Sequence, residues 1–134
     1  MKNQYNEVEV IFFRHVKLAF ATNEREGLED SISRVFGRAE TFTILDVEGK
    51  NIVEKKILDN PAKSYHHGAG PIAVKMLVDE GVNFVFSNEL GFGASELLKQ
   101  HNIKHIPVKP DIKVRKIFRE EINKLEKEGI LAEI

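Results

Sequence analysis

A chain of 134 residues with 42% hydrophobic and 31% charged content has the size and make-up of one globular domain with one core. A formal net charge of −1 gives no electrostatic case for a nucleic-acid or membrane partner. With no cysteine there is no disulfide and no thiolate ligand for zinc or an iron–sulfur cluster.

No apolar run approaches the roughly 20 residues that span a bilayer. The N-terminus has one early lysine and then polar residues, unlike a signal peptide. The expectation is a cytoplasmic protein of one domain, 1–134, with its core over about 16–128 and an extension over 1–15. Met1 to Asn6 is polar and expected to fray. Glu7 to Phe13 alternates and ends fully apolar at Ile11, Phe12 and Phe13. Val16 to Thr22 alternates again, with Val16, Leu18 and Phe20 on one face. Both stretches read as strand, one long or two. Phe12 and Phe13 suit either a dimer interface or a core, so monomer and homodimer both stay open.

Asn23 to Glu40 reads as a long polar loop, and loops of that length are often functional or mobile. Thr41 to Val47 is β-branched and aromatic, hence strand. Glu48-Gly49-Lys50-Asn51 is a hairpin turn. Ile52 to Leu58 returns, and its charges Glu54, Lys55 and Lys56 suggest a sheet edge.

Asn60-Pro61 opens a loop that runs to Gly70. Pro71 suits a first helical turn, where its missing N–H costs nothing. Ile72, Ala73, Met76 and Leu77 form an apolar stripe, and Gly81 stands where a left-handed C-cap belongs. Phe84-Val85-Phe86 reads as a strand buried on both faces. A second glycine loop, Ser87 to Gly93, precedes a short helix over Ala94–Gln100. Ile103–Val108 is a last strand. Asp111 is a candidate N-cap for a helix reaching about Glu128, with Gly129 as its stop.

A hairpin followed by βαβ crossovers predicts a three-layer α/β/α domain whose mixed sheet is parallel in its second half. In such sheets ligands bind beyond the carboxyl ends of strands, at helix N-termini. Both glycine loops belong there.

In the first of them, His66 and His67 offer neutral imidazole to a metal, and Gly68 and Gly70 allow close backbone approach. The competing reading is a solvated loop whose glycines serve the turn. In the second, Asn88-Glu89-Leu90-Gly91-Phe92-Gly93 suits phosphate or cofactor binding. It lacks the third glycine of a dinucleotide fingerprint and the lysine of a Walker loop. Its alternative is a tight strand-to-helix turn with Phe92 in the core or exposed as a lid. Asp30, Asp46 and Asp59 show no two-metal spacing. His15, His101 and His105 read as surface or half-buried. Ser64 and Ser87 lack a nucleophile-elbow context, so no catalytic residue is assigned. The basic group Lys113, Arg115, Lys116 and Arg119 reads as a solvated helix face.

Four strings together resemble one family: Phe36-Gly37-Arg38-Ala39 with Phe42, Asp59-Asn60-Pro61-Ala62, His67-Gly68-Ala69-Gly70-Pro71, and the loop Asn88 to Gly93. In this order they resemble the dinitrogenase iron–molybdenum cofactor biosynthesis family, over roughly Val16 to Ile122. The resemblance implies a ribonuclease-H-like mixed sheet of about five strands without nuclease activity. It implies a non-enzymatic carrier of an iron–sulfur or iron–molybdenum cofactor precursor, of a kind found as stand-alone archaeal domains, with cofactor-assembly proteins as partners. It would place His66 or His67 as metal ligand and Arg38 against an anionic cluster. Phe36, Gly37, Gly68, Gly70, Asn88, Glu89, Gly91 and Gly93 would supply the cradle.

Three departures stand beside it. Val35 replaces a histidine common in the family, no cysteine lies near the His-Gly loop, and the N-terminal extension is longer than usual. Two other functions fit the same loops. One is a small enzyme or sensor for a phosphorylated metabolite or nucleotide. The other is an interaction module using Phe92 and the Asn23–Glu40 loop.

Overall fold

The computed structural model of the chain describes residues 15–127. The predicted strand Glu7–Phe13, with Phe12 and Phe13, and the helix stop at Gly129 lie outside them. The strands are β1 (His15–Thr22), β2 (Thr41–Glu48), β3 (Asn51–Asp59), β4 (Phe84–Ser87) and β5 (Lys104–Pro107). The helices are α1 (Ala69–Asp79), α2 (Phe92–Gln100) and α3 (Val114–Lys127).

The sheet has the order β3-β2-β1-β4-β5. β2 is antiparallel to both β1 and β3, while β4 runs parallel to β1 and β5 parallel to β4. β2 therefore runs against the other four. This is the expected mixed, ribonuclease-H-like sheet, and the charged β3 is an edge, as its sequence suggests.

The alternation in β1 sorts the core into two layers. Ala19 and Ala21, with Phe42, Ile44 and Val85, meet Ala73, Val74 and Leu77 of α1 and Ala94 and Leu98 of α2. Leu18 and Phe20, with Leu45, Val47 and Phe86, meet Val114, Ile117, Ile122 and Leu125 of α3. Phe20 and Phe86 stack at 4.6 Å between ring centres, worth about 1 kcal/mol beyond their burial. With helices on both faces, every residue of β4 is buried.

α1 ends as its sequence predicts. Gly81 has φ +75°, its N–H reaches the Val78 carbonyl at 3.0 Å, and the Val82 N–H reaches the Leu77 carbonyl at 3.2 Å. These are the two bonds of a Schellman cap. A Cβ at Gly81 would find only Lys17 Nζ, at 4.0 Å, so Gly81→Ala carries backbone strain alone. We expect it to lower stability by about 1 kcal/mol in urea denaturation. An unchanged midpoint would contradict the cap.

The 23–40 connection departs from the expected polar loop. It holds two short 3₁₀ turns, Gly27–Glu29 and Phe36–Arg38. Ile32 is buried in the α3 layer and Phe36 in the α1/α2 layer. Asp30 is buried and its carboxylate accepts the N–H groups of Glu24 and Glu26 at 3.1 Å and of Ser31 at 2.8 Å. Three N–H groups on one carboxylate satisfy a buried charge and fix the loop around it.

Asp111 is not the N-cap of the last helix. It sits at φ +67° in a turn, and α3 begins at Val114, whose N–H donates to the Asp30 carbonyl at 2.9 Å. The cap comes from a distant loop, which local sequence does not show. Arg115 Nε, at 2.5 Å, and Lys113 Nζ, at 3.3 Å, bond Glu29 and hold its carboxyl below the usual carboxylate range. Lys116 pairs with Glu120 within α3, and all four residues of the basic group are exposed, so it is a solvated face. β5 is shorter than expected, and α2 starts two residues earlier, at Phe92.

Candidate cofactor-binding face

β1, β3, β4 and β5 run in one direction, so Thr22, Asp59, Ser87 and Pro107 end at one edge of the sheet. The connections 23–40, 60–68, 88–91 and 108–113 share that edge. The N-termini of α1 and α2 open there too, presenting N–H groups that have no partner within their helix. The structure thus brings both glycine loops and the Phe36–Arg38 turn together.

Asn60 holds this edge in register. It is 2% exposed. Its side-chain amide donates to the Gly37 carbonyl at 3.0 Å and to the Ala39 carbonyl at 2.9 Å. Its side-chain oxygen accepts the Ala62 N–H at 3.0 Å, an Asx-turn. The sequence flagged Asn60-Pro61 as a loop start and assigned Asn60 no further role. An Asn followed by Pro two residues ahead of a buried Ala is the signal that could have shown the turn.

Gly37 lies against the start of α1. A Cβ built on it would stand 3.0 Å from the Gly70 nitrogen and 3.2 Å from Ala69 Cβ. One built on Gly70 would stand 3.0 Å from Ala94 Cβ of α2. These two glycines serve close packing among the turn, α1 and α2. Gly68, at φ +74°, and Gly91 have nothing within 4 Å of a built Cβ, and Gly93 has only Pro71 Cγ, at 3.9 Å. The open ground of the face is therefore at Gly68, Gly91 and Gly93.

The remaining site residues divide in the same way. Phe36 is a core side chain, edge-to-face with Phe42 at 5.2 Å, and its N–H donates to the Glu89 carbonyl at 2.9 Å. The Glu89 N–H donates to the Arg34 carbonyl at 3.1 Å, and the Asn88 amide to the Val108 carbonyl at 3.3 Å. The Glu89 backbone and the Asn88 side chain thus tie the 34–36 segment to the end of β5. Arg38 Nη2 donates to the His66 carbonyl at 3.0 Å, so it links the turn to the histidine loop.

His66 and His67 are exposed. No group of three His, Asp or Glu side chains able to hold a metal occurs among the described residues. Asp30 is spent on backbone N–H groups, Asp46 on His15 and Asp59 on Arg25, so the three carboxylates do not converge. Val35, Tyr65 and Phe92 are 38%, 49% and 81% exposed, and all three belong to this edge. Phe92 is thus an exposed side chain of the face, not part of the core. His15 and His101 are exposed and His105 is half-buried, as expected.

Fold and face together define a small three-layer α/β/α domain with two helix N-termini side by side at one sheet edge. Residues 15–124 match the family described as dinitrogenase iron-molybdenum cofactor, and the chain belongs to that family. It is 33% identical over 72 residues to an uncharacterized protein of Methanocaldococcus jannaschii, covering 54% of this chain and 61% of that protein. The match thus spans less than two thirds of that relative. Among solved structures, the apo form of the orange protein from Desulfovibrio gigas superposes with a TM-score of 0.72 at 23% identity, over 81% of this chain and 88% of that one. An NMR structure of a Thermotoga protein gives 0.62 at 24% identity, over 89% and 97%. At these identities the two structures speak for the fold. No helix among the described residues is long and apolar enough to cross a membrane.

Proposed function

We propose that this chain is a non-enzymatic carrier for an iron–sulfur or iron–molybdenum cofactor precursor, taken up at the edge formed by 35–38, 65–70 and 88–93. Membership of the cofactor family over residues 15–124 carries this reading. The convergence of both glycine loops at one edge supports it. The orange protein was solved as an apo form, and an apo form presupposes a ligand.

The donors present suit cargo better than a resident metal. Two exposed imidazoles without thiolates make an open, exchangeable attachment. An anionic cluster would draw its further hold from helix N-termini, with the open glycines admitting it closely. Arg38, engaged with the His66 carbonyl, keeps the histidine loop against the turn. The exposed Val35, Tyr65 and Phe92 fit contact with an assembly protein that delivers or receives the cargo. The working compartment is the cytoplasm.

Anaerobic reconstitution with iron and sulfide tests the reading. Wild type is expected to gain visible absorption and bound metal, and the double variant His66→Ala/His67→Ala to lose most of both. Equal binding by the double variant would remove the histidines from the ligand set. A wild type that takes up no metal would overturn the carrier reading and favour an anionic metabolite or a protein partner at the same edge.

A further inference from the structure

The end of β4 is joined to β5 by three links. Ser87 Oγ and His105 Nε2 lie 2.8 Å apart, the Val108 N–H donates to the Ser87 carbonyl at 3.0 Å, and the Asn88 amide donates to the Val108 carbonyl at 3.3 Å. Just beyond, Glu89 is held by its two backbone bonds to Arg34 and Phe36. The second glycine loop hangs from this strut.

Ser87 is fully buried and His105 half-buried. Hydrogen-bond accounting selects the tautomer. The Ser87 hydroxyl has no other acceptor among the described residues, so its proton goes to Nε2 and the ring proton sits on Nδ1. Protonation of the ring reverses the bond. Nε2 becomes a donor, and the buried hydroxyl proton is left without an acceptor. The charged ring also gains a claim on the Ser87 carbonyl, which now serves Val108.

The titratable groups on the surrounding elements are Lys104 on β5, Glu96, Lys99 and His101 on or just after α2, and Glu89 in the connection; β4 carries none. Glu96 and Lys99 pair with each other at 3.6 Å, and none of these groups bonds the ring.

We propose that His105 is a pH-sensitive latch: neutral, it locks the end of β4 to β5 and so holds the 88–91 connection, and protonated, it lets that connection loosen. For its meaning, release of cargo on acidification, this rests on the carrier reading. The latch itself belongs to the protein alone. Burial pushes the His105 pKa below its ordinary value of 6.5, partly opposed by the Ser87 carbonyl. A depressed histidine pKa favours the closed form fully above the ordinary value. That contribution falls as pH drops from there toward the folded pKa.

Amide hydrogen exchange by NMR from about pH 7.5 to about pH 5, corrected for intrinsic rates, reads the latch. The amides of Glu89, Phe36 and Val108 should lose protection about three- to tenfold, the worth of one hydrogen bond. Ala19 and Leu45 in the central strands should keep theirs. The loss should set in as pH falls below the ordinary value of 6.5, level off as the His105 ring becomes protonated in its NMR titration, and vanish in His105→Gln, which keeps an acceptor but takes no proton. Flat protection in wild type, a loss that continues after the ring is fully protonated, or a loss that persists in H105Q would each overturn the latch. So would a uniform fall that includes β1 and β2. Should H105Q fail to fold, the match between ring titration and amide protection in wild type decides. No cargo is added, so failure of reconstitution leaves this result standing.

Discussion

Asn60→Ala is expected to cost about 3 kcal/mol or more, because it strips partners from three buried groups at once. The carbonyls of Gly37 and Ala39 lose their donor and the Ala62 N–H loses its acceptor. Water has little access to replace them at a side chain that is 2% exposed. At the denaturant sensitivity usual for a domain of this size, the urea midpoint should fall by about 1–2 M. Asn60→Asp separates hydrogen bonding from shape. A carboxylate can still accept from Ala62, but it faces two carbonyls with no proton to give. Its folded pKa should therefore rise above the unfolded value. The sign follows: stability relative to wild type is greatest below the unfolded aspartate pKa, about 3.9, and is lost as pH rises through the folded pKa. An Asn60→Ala protein within about 0.5 kcal/mol of wild type would remove Asn60 from its place as clamp. An N60D variant whose deficit shrinks toward neutral pH would remove the hydrogen-bond account.

The parts of the fold that were legible in the sequence are those set by local pattern. The alternation Val16, Leu18, Phe20 against Ala19, Ala21 names the two faces of β1 because a strand repeats every two residues. Gly81 names the end of α1 because the left-handed position excludes most other residues. The charges at 54–56 name the edge strand. Long-range partners stayed hidden. The N–H of Val114 is capped by the Asp30 carbonyl from a distant loop, a partner that no local pattern shows, whereas Asp111 is the cap that local pattern suggests. The 23–40 stretch reads as a free loop because its anchors, Ile32, Phe36 and Asp30, follow neither a strand nor a helix period. The candidate face was visible as two glycine loops before two helices. Which glycines pack and which stay open was not visible, since that depends on what stands opposite each Cα.

That division can be tested at the glycines themselves. Gly37→Ala should destabilise by about 2 kcal/mol. Its Cβ would lie 3.0 Å from the Gly70 nitrogen and 3.3 Å from the Ala69 carbonyl carbon, and backbone cannot rotate aside. The Phe36–Arg38 turn would have to lift from α1, straining the Asn60 bond to the Gly37 carbonyl. Gly70→Ala meets a side-chain methyl instead, Ala94 Cβ at 3.0 Å. Ala94→Gly should relieve that contact, so the double variant should be more stable than the two single losses added together. Gly93→Ala should act in the opposite direction. It lies inside α2 with only Pro71 Cγ at 3.9 Å, so a methyl there gains helix propensity of about 0.5 kcal/mol without a clash. Urea denaturation of the three glycine-to-alanine variants reads the order directly, and a Gly37→Ala protein as stable as Gly93→Ala would mean that the turn does not bear on α1. The same variants separate packing from binding. If cargo approaches the open backbone at the start of α2, Gly93→Ala should leave the fold intact and weaken metal uptake, because its methyl fills space that the protein itself leaves empty. Uptake unchanged in Gly93→Ala would move the cargo away from α2 and toward Gly68 and the histidine loop.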